Sequence, residues 1–209
     1  MAKKNIKEKG FFITVEGLEG SGKSSVIKSL TNFIKKKGFS LKVHREPGST
    51  RIGEKIRKIL LDNKNKELSV YTELLLYLAA RTQLIEEQLK EDLLVNDFVV
   101  CDRFFDSTLV YQGYALGLGE IVHKSVQMFS LGVNPDLTIV LDTPVKKGLS
   151  RLKSKDRIES RPLLFHNKLR KGYLLLAKKY PERIKIINAR NSLAAVCTNV
   201  HELVEKTFL

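Results

Sequence analysis

The segment Gly17-Leu18-Glu19-Gly20-Ser21-Gly22-Lys23-Ser24 constrains this chain more than any other. It follows an apolar run, Phe11 to Val15, and opens a stretch from Ser24 to Lys37 that reads as a helix. Two glycines at the ends, then Lys, then a hydroxyl residue, is the spacing of a loop that cradles phosphates. The glycines let the backbone curl so that successive N–H groups point at one anion. Lys23 is placed to neutralise the outer phosphates and Ser24 to offer its hydroxyl to Mg²⁺, while the following helix adds its positive end. Strand, loop and helix occur in the required order, which a chance match does not explain. A polyphosphate therefore binds here; the loop alone leaves open which phosphate chemistry follows.

Around the loop, short apolar runs alternate with helical segments. The expected strands are Phe11–Glu16, Leu41–Arg45, Phe98–Asp102, Leu137–Asp142 and Ile184–Asn188. They are rich in Val and Ile and nearly continuous in apolar character, as strands buried on both faces are. The expected helices are Ser24–Lys37, Gly53–Leu61, Val70–Leu94, Glu120–Leu131, Pro144–Leu152, Asn167–Lys179 and Ser192–Phe208. This alternation predicts an α/β fold, a five-stranded parallel sheet flanked by helices on both faces. In such sheets ligands bind beyond the carboxyl ends of the strands. The most charged irregular stretch, Arg151 to Arg161, lies between two helices and reads as a mobile segment.

The 209 residues fit one domain, and 43% hydrophobic content is ample for a core. The formal charge of +14 suits polyanionic ligands. Much of the excess is scattered Lys, including Lys3, Lys4, Lys35, Lys36, Lys37, Lys178 and Lys179, which reads as solvated helix faces. Charge alone does not make a nucleic-acid binder, and nucleic acid is not an expected partner. Cys101 lies inside an apolar run and reads as a small buried hydrophobe; with Cys197 it suggests neither a disulfide framework nor a metal cluster. Met1 to Gly10 lacks the apolar core of a signal peptide, and no apolar stretch is long enough to span a bilayer. No membrane partner is expected, and a cytoplasmic enzyme is the default.

Several side chains near the loop carry chemistry. Asp102 ends the third strand, where a carboxylate is suited to holding Mg²⁺; the bland alternative is that it caps the next segment. Glu19 inside the loop would be repelled by polyphosphate unless it pointed elsewhere, for example at a hydroxyl of a second substrate. Its plain alternative is simple solvent exposure. Arg57, Arg81 and Arg103 stand on three different segments and could bind phosphate or planar acceptors bidentately, although each taken singly reads as a surface residue.

Taken together, these segments resemble one family. Arg45-Glu46-Pro47-Gly48-Ser49-Thr50 with Arg57, Tyr77-Leu78-Ala79-Ala80-Arg81, Asp102-Arg103-Phe104-Phe105-Asp106-Ser107-Thr108 with Tyr111-Gln112-Gly113, and Asp156-Arg157-Ile158-Glu159 match the thymidylate kinase family in type and order. The resemblance spans Phe11 to Asn188. It implies a P-loop kinase fold and transfer of the terminal phosphoryl of ATP to dTMP, giving dTDP, a step toward dTTP for DNA replication. It implies that Gly17 to Ser24, with Ser25, holds ATP, that Ser24 and Asp102 serve Mg²⁺, and that the molecule is a homodimer; Val70–Leu94 and Glu120–Leu131 are apolar enough to form a dimer surface.

The same resemblance implies an acceptor site. Tyr77 would stack on thymine and Arg81 reach a thymine carbonyl; Thr108 and Gln112 would be the other base-edge contacts, with Glu46 beside them. Tyr111 would crowd the sugar at C2′, Glu19 would contact the 3′-hydroxyl, and Arg57 and Arg103 would grip the acceptor phosphate. Without the resemblance, Tyr77 reads as a core tyrosine. The loop carries no arginine, so the implied arrangement is the bacterial one, in which arginines of a lid at about 151–161 act on the migrating group. With Lys23 and Arg103, Arg151 and Arg157 are the catalytic candidates, ahead of Arg161. Ser160-Arg161-Pro162 departs from the family pattern after Glu159, and Ala189 and Arg190 sit where adenine would be touched. Two rival readings stay open on the sequence. One is another small-molecule kinase, acting on a deoxynucleoside or a different monophosphate; Arg57 and Arg103 argue for an acceptor that already bears phosphate. The other is a phosphate-loop switch or nucleic-acid-binding ATPase, which would need basic patches interleaved with aromatics.

Overall fold

Runs of Val, Ile, Leu and Phe form five strands: β1 (Phe11–Gly17), β2 (Leu41–Arg45), β3 (Phe98–Asp102), β4 (Leu137–Asp142) and β5 (Ile184–Asn188). In the computed structural model, which describes residues 10–209, all pair in parallel in the order β2-β3-β1-β4-β5. Lys3, Lys4 and the rest of residues 1–9 lie outside the described residues. The three central strands are buried at nearly every position, so near-continuous apolarity reports two covered faces. The edge strands differ: Val43 of β2 and Ile186 of β5 are exposed.

The helices are α1 (Lys23–Lys36), α2 (Arg51–Leu61), α3 (Val70–Leu84), α4 (Lys90–Val95), α5 (Phe105–Thr108), α6 (Glu120–Phe129), α7 (Val145–Leu149), α8 (Leu163–Lys179) and α9 (Leu193–Phe208). The segment expected as one helix, Val70–Leu94, is divided by a π-helical turn, Ile85–Leu89. A second π-helical stretch, Leu109–Ala115, continues α5. It was not among the expected helices, yet it puts Thr108 and Gln112 on one run of helix. α2 starts at Arg51 rather than Gly53 because the Thr50 hydroxyl accepts the Gly53 N–H at 2.9 Å. α8 starts at Leu163 rather than Asn167, directly after Pro162, whose fixed φ suits a helix entrance. α7 is shorter than the expected Pro144–Leu152.

Alternation along β1 sorts the core. Ile13 and Val15 pack with Val26, Leu30 and Ile34 of α1 and Val196, Val200 and Val204 of α9. Phe12 faces the other way, toward Leu78, Leu84, Leu89 and Phe104. A third cluster joins Val140 to Tyr111 and to Leu169 and Tyr173 of α8. Truncating one such fully buried side chain, Leu30→Ala for instance, costs about 2–5 kcal/mol. On the Phe12 face, Thr14 and Thr138 share a hydrogen bond, and Arg183 grips Asp106 with both nitrogens at 2.6 and 2.9 Å. The parallel register brings the carboxyl ends together: Val15 and Arg45 both lie opposite Asp102, and Gly17 lies opposite Leu141. The site stands on that edge.

Candidate active site

Gly17, Gly20 and Gly22 all have positive φ (138°, 67° and 95°), so the loop takes the curl that only glycine adopts without strain. No side chain caps α1 behind Gly22, which leaves its first N–H groups available to an anion. The loop is held from below by backbone contact with α7: a Cβ on Gly20 would lie 2.0 Å from the Gly148 carbonyl oxygen. Lys23 folds over the loop, donating to the carbonyls of Gly17 at 3.3 Å and Leu18 at 3.1 Å. Burial, reinforced by Arg103, pulls its ammonium down to about 8. Ser24 lines the same cleft, Ser25 is exposed beside it, and Ser21 Oγ is buried without a partner. Asp102 also lines the cleft, and its buried Oδ1 has no hydrogen-bond partner.

The cleft continues from the loop into a second set of side chains. Arg81, only 1% exposed, donates through Nε to Glu46 Oε2 and through Nη2 to Thr108 Oγ1, both at 2.8 Å. Its Nη1 and Glu46 Oε1 are buried without partners. Burial pushes the Glu46 carboxyl up to about 7 against the pull of Arg81. Tyr77 and Gln112 line the same wall, and Gln112 Nε2 donates to Glu73 at 2.9 Å. Arg57 donates to the Pro47 carbonyl at 2.9 Å and faces the cleft. Arg103, in the left-handed region at φ 69°, bridges toward the loop: Nη2 donates to Glu19 Oε1 at 3.0 Å. Tyr111 donates its hydroxyl to that same oxygen at 2.5 Å and lies under the Arg103 guanidinium. Burial alone would raise the Glu19 carboxyl, but His166, Arg103 and Lys23 together hold it well below the usual carboxylate range. A strained non-glycine residue that links two halves of a cleft is a mark of a working site.

A family model described as thymidylate kinase matches residues 15–200. A thymidylate kinase from Caldanaerobacter subterraneus is 43% identical over 201 residues, covering 95% of this chain and 96% of that one. Another from Chlamydia felis is 43% identical over 195 residues, covering 90% and 94%. A solved thymidylate kinase from Ehrlichia chaffeensis superposes with a TM-score of 0.76 at 28% identity, covering 94% of this chain and 98% of that one. The chain belongs to the thymidylate kinase family.

With the thymidylate kinase framework in place, Arg151, Arg157 and Arg161 separate. Arg151 is exposed and donates to the Gly20 carbonyl of the phosphate loop at 2.9 Å. Arg157 is buried elsewhere, donating to the Leu60 carbonyl and to Glu73 Oε2, both at 2.7 Å. Arg161 also reaches Glu73 Oε2, at 2.6 Å. The structure therefore brings Arg151 to the loop and Arg157 to the wall behind Gln112. Asp156, Ile158 and Glu159 close the cleft between them. Ala189 and Arg190 do not line the cleft; the Arg190 carbonyl accepts from Lys147 of α7 at 2.8 Å.

Four residues at the site went unread in the sequence. Glu16, fully buried, accepts from the Phe104 N–H, Ser107 and Tyr173, and burial raises its carboxyl. Tyr173 also contacts Arg103. Glu73 pairs with both Arg157 and Arg161, and His166 places Nδ1 3.7 Å from Glu19 Oε2. The available signal was an acid inside an apolar stretch, at Glu16 in β1 and at Glu73 in α3. A fully buried carboxylate must be compensated.

Proposed function

We propose that this chain transfers the γ-phosphoryl group of ATP to dTMP, releasing dTDP and ADP, and that the two halves of the cleft are the donor and acceptor sites. The observation that carries this reading is Glu19. It belongs to the phosphate loop, yet its carboxylate is bonded to Arg103 and Tyr111 of the other half. The loop from Gly17 to Ser25, with its free helix N–H groups, holds the ATP phosphates, and Lys23 leaves the carbonyls of Gly17 and Leu18 for them. Arg57 and Arg103 hold the dTMP phosphate so that one of its oxygens attacks the γ-phosphorus in line while the bridging oxygen leaves with ADP. Arg81, Thr108 and Gln112 read the base edge, Tyr77 takes the ring face, and Glu46 fixes Arg81. Tyr111 sits against the sugar and Glu19 takes its 3′-hydroxyl.

Among the described residues no group of three or more His, Cys, Asp or Glu could cage a metal. The unpartnered Asp102 Oδ1 and the Ser24 hydroxyl on the same cleft fit Mg²⁺, a cation that keeps several waters and binds through one carboxylate plus substrate phosphates. When bound, Mg²⁺ neutralises charge on the transferring phosphates. Arg151, already at the loop, supplies further positive charge there; Arg157 fixes the lid.

No helix of the described residues is long and apolar enough to cross a membrane, and we read the chain as one cytoplasmic domain with a lid at 151–161. Leu75 and Ala79 of α3 with Met128 and Phe129 of α6 form an exposed, largely apolar face that suits a homodimer. The functional reading is tested by supplying ATP and each nucleoside monophosphate in a coupled assay. ADP and dTDP should appear in equal amounts with dTMP; a preference for another base's monophosphate would overturn the substrate assignment.

A further inference from the structure

Glu73 has no exposed surface, and both of its oxygens are committed. Oε2 accepts from Arg157 at 2.7 Å and Arg161 at 2.6 Å. Oε1 accepts from Gln112 Nε2 at 2.9 Å. A carboxylate gripped by two guanidinium groups can only accept hydrogen bonds. The side-chain amide that meets it must therefore present its NH₂ group, as Gln112 does. Gln112 lines the cleft, so the group left for a ligand is its carbonyl oxygen, an acceptor.

We infer that Glu73 is a positioning residue that sets the direction of the Gln112 amide, and thereby makes the cleft demand a ring N–H from the acceptor base. This rests on the reading that the base of dTMP lies against Gln112. Thymine and uracil carry a donor at N3 between two carbonyls, whereas cytosine has a bare acceptor there. Against a fixed carbonyl, the cytosine ring nitrogen would be left unpaired and facing another acceptor, and buried mismatches of this kind give strong discrimination. Arg81 enforces the same polarity, because a guanidinium offers donors only. The two devices are built on one surface: Glu73, Tyr77 and Arg81 follow each other at four-residue intervals along α3, facing Thr108 and Gln112, also four apart. The two lid arginines occupy Oε2 and Gln112 occupies Oε1, so the lid anchor and the base reader share one carboxylate.

The test is kcat/KM for dTMP, dUMP and dCMP in the wild type and in Glu73→Gln. A neutral amide at position 73 lets Gln112 turn over. The dTMP-to-dCMP ratio should then fall about tenfold, the scale of one charge-assisted hydrogen bond, while the dTMP-to-dUMP ratio stays as it was. A merely structural role would lower all three together and leave both ratios unchanged, which would overturn the inference. Should Glu73→Gln fail to fold, Arg161→Gln, at a partly exposed position, weakens the same lock and should lower the dTMP-to-dCMP ratio about threefold; an unchanged ratio there is equally fatal. A wild-type enzyme that does not phosphorylate dTMP would instead strike the functional reading itself.

Discussion

Arg103 donates from Nη2 to Glu19 Oε1 at 3.0 Å, which ties the residue after β3 to the middle of the phosphate loop. Glu19 is thus held in place by Arg103 and Tyr111, while its Oε2, 3.7 Å from His166 Nδ1, is buried without a hydrogen bond. An unsatisfied buried oxygen costs stability unless a ligand completes it. On the proposed function, the 3′-hydroxyl of dTMP is that donor.

Glu19→Gln should therefore lower kcat/KM for dTMP by about 10–100-fold, the loss expected for one charged hydrogen bond. The same substitution should change kcat/KM for 3′-deoxythymidine monophosphate much less, since that analogue has no 3′-hydroxyl to lose. Steady-state kinetics on the two enzymes and two substrates form a cycle that isolates the contact. Equal losses on both substrates would remove the 3′-hydroxyl from the assignment.

Arg151 and Arg157, paired as catalytic candidates in the sequence, should behave differently. Arg151 is exposed and its guanidinium donates to the Gly20 carbonyl, so Arg151→Ala should leave the melting temperature in place and lower kcat by about a hundredfold. Arg157 is buried against Glu73 and the Leu60 carbonyl. Arg157→Ala leaves the carboxylate with one guanidinium and should destabilise the fold by about 3 kcal/mol in urea titration. A normal melting curve for Arg157→Ala with a collapsed kcat would return the catalytic role to that residue.

Lys23 is lowered from its usual 10.5 to about 8, first by burial and then by Arg103. Between those values the unfolded chain binds a proton that the folded, ligand-free protein does not. Stability linked to Lys23 therefore rises with pH across that window, and the cost of burying the charge is present below it. ATP phosphates reverse the balance by favouring the ammonium form. Calorimetry near pH 9 in buffers of different ionisation enthalpy should show uptake of about one proton on ATP binding. Lys23→Ala should show no such uptake, should keep its fold and should lose phosphoryl transfer.

Much of this arrangement is legible in the sequence, for identifiable reasons. Strands such as Phe98–Asp102 announce themselves because burial on both faces leaves no polar alternation. The loop announces itself because only glycine serves at φ values like that of Gly22. Tyr77, Arg81, Thr108 and Gln112 are found together because the resemblance names them as a set. Glu73 and Arg157 lie 84 positions apart, and nothing local signals that they pair. The π-helical stretch at Leu109–Ala115 departs from the 3.6-residue period that sequence patterning relies on. Glu16 and Glu73 show where more could have been read: an acid in a buried apolar segment requires partners, and partners cluster at a site.

On the proposed function, the second half of the cleft receives a nucleotide already bearing a phosphate, held by Arg57 and Arg103. Its most direct test is a comparison of dTMP with thymidine as acceptor, at saturating ATP and Mg²⁺. kcat/KM for dTMP should exceed that for thymidine by at least about a hundredfold, the worth of two arginine contacts to phosphate. Thymidine serving as well as dTMP, or better, would contradict it.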